Sequence, residues 1–87
     1  MAWTVEFTDQ ARKSIRKLGR SDAAKILAAL DDIAKLDDPR SRGHVLTANL
    51  GGLWRYRVGD WRVIARIEDG RLVILVIDVG HRSRIYR

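Results

Sequence analysis

The N-terminal part of the chain passes from an alternating pattern to a helical spacing of apolar residues. The alternation of apolar and polar positions at residues 3–7 predicts a strand. Apolar side chains then recur one helical turn apart, at Phe7, Ala11, Ile15 and Leu18. Thr8 is suited to cap the N-terminus of this first helix, and Gly19 supplies a stop signal at its end.

A second helix follows, and its apolar face is the clearest helical pattern in the sequence. The face consists of Ala23, Ile26, Leu27, Leu30, Ile33 and Leu36. Ser21 is predicted to cap this helix. The pair Asp38-Pro39 ends it, because the residue before a proline is pushed out of the α region. The break between the two helices is short, so they are expected to form an αα-hairpin.

From residue 53 onward the apolar period changes to two, which predicts strands. They are expected at residues 53–58, 61–67 and 72–79, with Gly59-Asp60 and Asp69-Gly70 as two-residue hairpin turns. Residues 40–52 are interpreted as a loop with a short strand near Val45-Leu46. The last strand is apolar at successive positions, so we expect it at the centre of the sheet, covered on both faces.

The order of elements is therefore β-α-α-β-β-β, in one domain of residues 1–87. The expected fold class is α+β, with the N-terminal strand and the αα-hairpin packed on one face of an antiparallel β-sheet.

The Gly59-Asp60 turn determines which side chains of the first hairpin share a face, and it places Arg57 opposite Arg62. The core face receives Trp54, Tyr56, Val58, Trp61, Val63, Ala65 and Ile67. The other face receives Leu53, Arg55, Arg57, Arg62, Ile64 and Arg66. Like charges directly opposite each other on a sheet repel. So many arginines on one face therefore indicate a binding site for a phosphate backbone.

The second turn extends this prediction to the C-terminal segment. With a two-residue loop there, Arg62 is expected near Ile77 and Trp61 near Asp78. The end of the last strand would then return to the first hairpin. The residues expected to converge at that point are Arg57, Arg62, His81, Arg82 and Tyr86.

Composition and charge support a polyanionic partner. The 87 residues carry 17 Lys and Arg against 11 Asp and Glu, a net charge of +6. Residues 45–87 contain eight Arg and no Lys, and the rigid guanidinium fork suits phosphate oxygens. The sequence has no cysteine and no apolar run long enough to span a bilayer. We therefore expect a cytoplasmic protein with no membrane partner.

The candidate groups limit the chemistry. His44 and His81 lie in different regions and the acidic residues lack ligand spacing, so neither a metal nor another cofactor is predicted. His44 is interpreted as an ordinary loop residue. No serine belongs to a triad framework. Arginines that clamp a phosphate, with His81 and Tyr86 for proton transfer, could still cleave RNA, because RNA supplies its own nucleophile in the 2′-OH. The same residues would bind DNA without cutting it.

Four motifs extend over most of the chain. They are F-T-x-x-A-R-K-x-I-x-K-L at residues 7–18, L-W-R-Y-R-V-G-D-W-R-V-I at 53–64, I-x-D-G-x-L-V-I-L at 67–75 and V-G-H-R-x-x-I-Y at 79–86. Together they resemble the RelE/ParE toxin superfamily, on its RelE side. The resemblance implies the toxin of a type II toxin–antitoxin module, an mRNA endonuclease that cuts messages in the ribosomal A site. The implied reaction is metal-free attack by the 2′-OH.

The resemblance also implies roles for single residues. Arg62 corresponds to the arginine that contacts the scissile phosphate. Arg82 corresponds to an arginine implicated in stabilising transition-state charge or protonating the leaving group. Tyr86 corresponds to a tyrosine that stacks on or orients the base, and His81 stands where the family has His or Lys.

The strand before the first turn departs from the family pattern. Arg55 and Arg57 correspond to basic residues that are often Lys in the family, one of which is a general-base candidate there. Because the second half of this chain has no Lys, the proton acceptor must be His81, Tyr86, or a group of the ribosome or substrate. Additional RNA contacts are predicted for Arg55, Arg66 and Arg84.

Two alternatives remain open. One is a ParE-like inhibitor of DNA gyrase, with the same fold and no catalysis. The other is a catalytically silent homologue that binds only its antitoxin and operator DNA. The expected partner is a cognate antitoxin, an acidic amphipathic protein that folds on binding. A nuclease would also bind the ribosome with its mRNA, and operator DNA would be bound only through the antitoxin.

Overall fold

The computed structural model describes residues 3–46 and 52–82, which form a mixed five-stranded sheet with two helices on one face. The strands are β1 (Thr4–Phe7), β2 (His44–Val45), β3 (Leu53–Val58), β4 (Trp61–Glu68) and β5 (Val73–His81). The helices are α1 (Asp9–Arg16) and α2 (Arg20–Ala34), with 3₁₀ turns at Pro39–Ser41 and Asp69–Arg71. The strand order is β1-β5-β4-β3-β2. The α+β class and the order of the major elements are confirmed.

The N-terminal strand β1 belongs to the sheet itself. It pairs in parallel with β5, from Thr4 opposite Val73 to Phe7 opposite Val76, whereas the other strand pairs are antiparallel. The sheet is therefore mixed, not purely antiparallel as expected. Alternation along a strand shows that one face is buried, but it does not show which strand is its neighbour.

Strand β5 lies in the interior of the sheet, between β1 and β4, while β4 takes the central place. On the helix side, Ile74 and Val76 are fully buried. Leu75, which faces the opposite side, is only half-buried. β5 is therefore covered on the helix side but only partly covered on the other side, whereas cover on both sides was expected.

The two helices begin in different ways. The Thr8 hydroxyl accepts a hydrogen bond from the Ala11 amide at 3.1 Å, as predicted for the cap of α1. α2 begins at Arg20, with Gly19 as its N-cap and no side-chain cap hydrogen bond. The prediction of Ser21 as the cap is wrong, because the short connection after α1 already directs the chain into the helix at Gly19. Neither helix of the described residues is long and apolar enough to cross a membrane.

The hydrophobic core lies between the helices and one face of the sheet. Its buried members include Ala11, Ile26, Leu30, Ile33, Tyr56, Val63, Ala65, Ile74, Val76 and Val79. Tyr56 is 2% exposed, and its hydroxyl donates a hydrogen bond to the Pro39 carbonyl at 2.8 Å. This bond holds the segment that follows α2 against the sheet. Burial raises the pKa of Tyr56 to about 12.

The connection between β4 and β5 is a 3₁₀ turn, and the prediction of a two-residue hairpin loop is wrong. Leu72 adopts a left-handed conformation with φ of 54°, and Ile67 lies opposite Ile74 instead of Leu72. Arg40 holds Asp69 of this turn through hydrogen bonds of 2.9 and 2.8 Å, which lower the pKa of Asp69. The ion pair joins residues far apart in sequence, so no local pattern indicates the wider turn.

Replacing Tyr56 with Phe should destabilise the protein by about 1–2 kcal/mol at neutral pH, because the buried Pro39 carbonyl loses its hydrogen-bond donor. The difference between the two proteins should shrink as the pH rises from 10 towards 12. The folded wild type keeps the phenol protonated in that range while the unfolded chain ionises it, so the wild type alone loses this stability. Urea unfolding of both proteins at neutral and alkaline pH measures the difference. A constant difference across this range would contradict the assignment.

Candidate nucleic-acid interface

The tight turn between β3 and β4 places two arginines directly opposite each other. Gly59 has a φ of 60°, while the φ of Asp60 is not positive, which is the type II′ pattern that suits a two-residue hairpin. Arg57 then lies opposite Arg62, as predicted. Cβ atoms of directly opposed residues are about 4.5–5.5 Å apart, so the sheet holds two positive charges side by side.

The side of the sheet away from the helices carries four arginines of β3 and β4, and we call it the arginine face. Its members are Arg55, Arg57, Arg62 and Arg66, which alternate along the strands with residues of the core. Arg57 and Arg66 are exposed and Arg55 is half-buried. Arg66 is four residues from Arg62 along β4, roughly 13 Å away. The face therefore has a close pair at the turn and further cations at a distance.

Arg62 is the buried cation at the centre of this face, only 6% exposed. Its Nη1 donates hydrogen bonds to the carbonyl oxygens of Gly59 and Trp61, at 3.2 and 3.1 Å. Within the described ranges, no carboxylate forms an ion pair with it. A buried charge that is not neutralised is costly. Arg62 is therefore suited to bind an anion supplied by a partner.

The end of β5 lies beside this pair, but in another register than predicted. Gly80 lies opposite Arg62, where Ile77 was expected. The wider turn after β4 accounts for two residues of the difference, and a bulge at Ile77 accounts for the third. Gly80 therefore adds no side chain to the arginine face beside Arg62.

Helix α1 holds the bulge in place. The Thr8 hydroxyl donates a hydrogen bond to the Ile77 carbonyl at 2.7 Å, and the Ser14 hydroxyl donates to the Asp78 carboxylate at 2.7 Å. The same carboxylate oxygen accepts a hydrogen bond from the Val79 amide at 2.8 Å. The two contacts with Thr8 and Ser14 could not be predicted from the sequence, because their partners are more than sixty residues away and no motif connects them.

Arg82 lies against the β3–β4 turn. Its amide donates a hydrogen bond to the Asp60 carbonyl at 2.9 Å, and its Nε is 3.9 Å from the Asp60 carboxylate. The side chains of both residues are largely exposed. The predicted convergence of Arg82 with the turn that carries Arg57 and Arg62 is therefore present.

His81 is placed differently from the prediction. It lies opposite Trp61 in the ladder, and the two rings meet edge to face with their centroids 5.6 Å apart. Trp61 packs against the core, so His81 is on the helix side of the sheet and not on the arginine face. The bulge causes this, because it changes which residues of β5 point to each side.

The structure adds a residue that the sequence analysis treated as part of a loop. His44 is exposed and lies opposite Arg55 in the β2–β3 ladder, so it shares the arginine face. The prediction of a short strand near Val45-Leu46 was correct to one residue. That one residue matters, because alternation decides which side chain points to which face. Arg84 and Tyr86 lie outside the described residues.

The described residues provide an apolar groove away from the arginine face but no cluster of metal ligands. Among the described residues, no group of three or more His, Cys, Asp or Glu side chains could hold a metal ion. An open groove of about 240 Å³ between the helices is lined by Phe7, Arg12, Ile15, Arg16 and Leu27. It lies on the opposite side of the sheet from the arginine face, and its lining is mainly apolar.

Comparisons with known proteins give a consistent result. Residues 5–86 match the family described as the ParE toxin of the type II toxin–antitoxin system, parDE. Toxin RelG of Mycobacterium tuberculosis is 35% identical over 88 residues, which cover 100% of this chain and 99% of the relative. Toxin RelE of the same organism is 33% identical, over 95% of this chain and 84% of the relative.

Solved structures show the same fold. The toxin–antitoxin complex RelBE2 of M. tuberculosis contains a chain that superposes with a TM-score of 0.86 at 28% identity, over 95% of this chain and 94% of that one. The archaeal RelE–RelB complex of Pyrococcus horikoshii contains a chain with a TM-score of 0.74 at 26% identity, over 97% and 99% of the two chains.

Replacing Arg57 with Gln should stabilise the protein by about 0.5 kcal/mol in low salt, because it removes the repulsion with the opposed Arg62. The gain should disappear in about 1 M NaCl, where exposed charges are screened. Arg66→Gln is the matched control, since it removes an exposed charge from the same face but lies opposite Leu53. Urea unfolding at both salt concentrations measures the effect. An equal gain in stability for Arg66→Gln would show that the lower net charge, and not the loss of the repulsion between Arg57 and Arg62, causes the effect.

Proposed function

We propose that this chain, which belongs to the family of ParE toxins of type II toxin–antitoxin systems, is a ribosome-dependent endonuclease. It cuts mRNA in the ribosomal A site and inhibits translation until a cognate antitoxin neutralises it. The observation that carries this proposal is Arg62, a nearly buried cation with no carboxylate partner among the described residues, opposed by a second arginine. Such a site fits a phosphate diester, which carries one negative charge and oxygens that accept hydrogen bonds.

The reaction needs little from the protein besides positioning and charge. Arg62 and Arg57 hold the scissile phosphate so that the adjacent 2′-OH lies in line with the leaving oxygen. The 2′ oxygen bonds to phosphorus as it loses its proton, and the bond from phosphorus to the 5′ oxygen breaks. The products are a cyclic phosphate and a 5′-OH, which gains a proton. Arg82, next to the same turn, stabilises charge on the phosphoryl oxygens.

The arrangement of the arginine face supports the proposed dependence on the ribosome. Within residues 3–46 and 52–82, the arginine face is the outer side of a sheet, with exposed arginines and no second layer to orient a flexible single strand. The ribosomal A site supplies mRNA in one conformation, and the rRNA backbone is a second polyanion for the outer arginines. Arg55, Arg66 and Arg84 are assigned to these RNA contacts, and Tyr86 to stacking on the base.

Replacing Arg62 or Arg82 with Ala should lower the rate of mRNA cleavage on programmed ribosomes by roughly 10²-fold or more, because each removes charge stabilisation from the phosphate. Arg71→Ala is the control for lost positive charge, because Arg71 pairs with Glu6 and Glu68 at the other end of β4. Mapping of new 5′-OH ends in translated frames measures cleavage. Growth arrest that persists in both variants would refute the nuclease assignment.

A second candidate function is inhibition of DNA gyrase, because the matching family is described as ParE. It predicts arrest with intact mRNA and a loss of gyrase supercoiling activity in vitro. The cation pair around Arg62 favours the nuclease, since an inhibitor of a protein target has no need of a phosphate clamp. Absence of arrest altogether would favour the silent homologue.

We further propose that the partner is a cognate antitoxin, as in the complexes of M. tuberculosis and P. horikoshii. An acidic, amphipathic chain would neutralise the arginine face and bury exposed apolar side chains such as Leu27 and Val45, which are 46% and 54% exposed. Any contact with operator DNA would then be made by the antitoxin.

The complex with the antitoxin should survive in about 1 M NaCl, because apolar burial is not screened by salt. Its affinity should fall only in part between low and high salt, by the contribution of the charged contacts. Size-exclusion chromatography and calorimetry at both concentrations test this. Complete dissociation at high salt would show that the interface is purely electrostatic.

A further inference from the structure

The sequence leaves the proton acceptor of the proposed reaction open between His81, Tyr86 and a group of the ribosome or substrate, and Tyr86 is assigned above to stacking on the base. The 2′-OH must give up its proton, and arginine cannot accept it near neutral pH because its pKa is above ~12. His81 contacts Trp61 on the helix side of the sheet, and the arginines dominate the other side. We propose that His44 is the proton acceptor for the 2′-OH. This inference rests on the proposed nuclease function.

The position of His44 in the ladder supports this role. It lies directly opposite Arg55 on the arginine face and is exposed. Arg55 is opposite Ile64, which is two residues from Arg62 on β4. His44 and Arg62 are therefore two strands apart and offset by two residues along the strand direction. Their backbones are about 12 Å apart on this diagonal. Both side chains are long enough to reach towards one nucleotide bound between them.

The segment that carries His44 is held unusually firmly for a two-residue edge strand. The indole Nε1 of Trp54 donates a hydrogen bond to the Arg42 carbonyl at 2.6 Å. Gly43 has a φ of 80°, and a Cβ there would clash with the Arg55 carbonyl oxygen and the Trp54 indole. The backbone of Gly43 is therefore packed directly on β3, at the point where only glycine fits.

Contacts on both sides of Gly43 complete this anchoring. The Tyr56 hydroxyl holds the Pro39 carbonyl at 2.8 Å, and the Leu46 amide donates to the Leu53 carbonyl at 3.0 Å. The buried Tyr56, the half-buried Trp54 and the close contact of Gly43 thus hold this segment against β3. These contacts fix the backbone that carries His44 and the face of the sheet on which the residue lies, and a proton acceptor needs a fixed position to be effective.

The chemistry of the step balances with groups that are present. A neutral imidazole nitrogen takes the 2′ proton while the 2′ oxygen bonds to phosphorus and the bond to the 5′ oxygen breaks. The 5′ oxygen takes a proton from solvent water, and the imidazolium later returns its proton to solvent. Among the described residues, the charged neighbours of His44 along the chain and across the ladder are Arg42, two residues before it, and Arg55, opposite on β3.

The test is single-turnover cleavage of ribosome-bound mRNA between about pH 5.5 and pH 8.5, where imidazole titrates, over a series of ribosome concentrations that reaches saturation. The wild-type rate should rise with pH and then level off. His44→Gln should cleave roughly 10²-fold more slowly, lose the dependence on pH, and keep the same half-saturating ribosome concentration within about threefold. Because His44 is exposed, the variant should fold, and the match in ribosome binding verifies this.

Two further variants sharpen the result. Gln10→Ala changes an exposed residue of α1, on the other side of the sheet from the arginine face, and it should cleave at the wild-type rate. His44→Ala should regain part of its activity when imidazole is added to the solution, whereas a merely structural role would give no such rescue.

The outcomes separate this inference from the proposed function. If the wild type cleaves and His44→Gln cleaves equally fast with the same pH profile, the assignment to His44 is refuted and the nuclease stands. If the pH dependence disappears in His81→Gln instead, His81 is the acceptor and the inference is also refuted. If the wild type cuts no mRNA on ribosomes, the proposed function fails and the role of His44 fails with it.

Discussion

The type II′ turn at Gly59-Asp60 is the constraint on which the rest of the sheet depends. In a sheet with one buried face, a slip of one residue would exchange every core side chain for an outward one. The left-handed φ of Gly59 fixes the register in which Tyr56 and Val63 enter the core. The same register forces Arg57 and Arg62 into opposition. The packing of the core and the high charge density of the arginine face thus both result from this one turn.

The two faces of the sheet have opposite effects on the stability of the fold. The helix side is closed by apolar packing and gains stability from it. The arginine face keeps like charges together, which reduces stability unless an anion is bound. A ligand that binds only the folded state stabilises it. RNA phosphates and an acidic antitoxin could each supply the anions. If both bind the same arginines, the antitoxin would compete with RNA, and this competition would give a physical basis for neutralising the toxin.

Helix α1 has a second structural role beyond the core. Beyond the end of β1, the Thr8 and Ser14 hydroxyls donate hydrogen bonds to Ile77 and Asp78 at the edge of β5 and so stabilise its bulge. The bulge changes the alternation of β5, so that Val79 still reaches the core and Gly80 lies beside Arg62. It also turns His81 towards Trp61. A contact between helix and strand therefore decides which C-terminal side chains share the face with the arginines.

The α+β class, the αα-hairpin and the opposition of Arg57 and Arg62 could be predicted from the sequence, because they follow from periodicity and from one short turn. The folded structure was needed to show the parallel pairing of β1, the wider turn held by the ion pair of Arg40 and Asp69, and the bulge at Ile77. It also decided that His44, and not His81, shares the arginine face. Each of these depends on contacts between residues far apart in the chain, and such contacts leave no local pattern in the sequence.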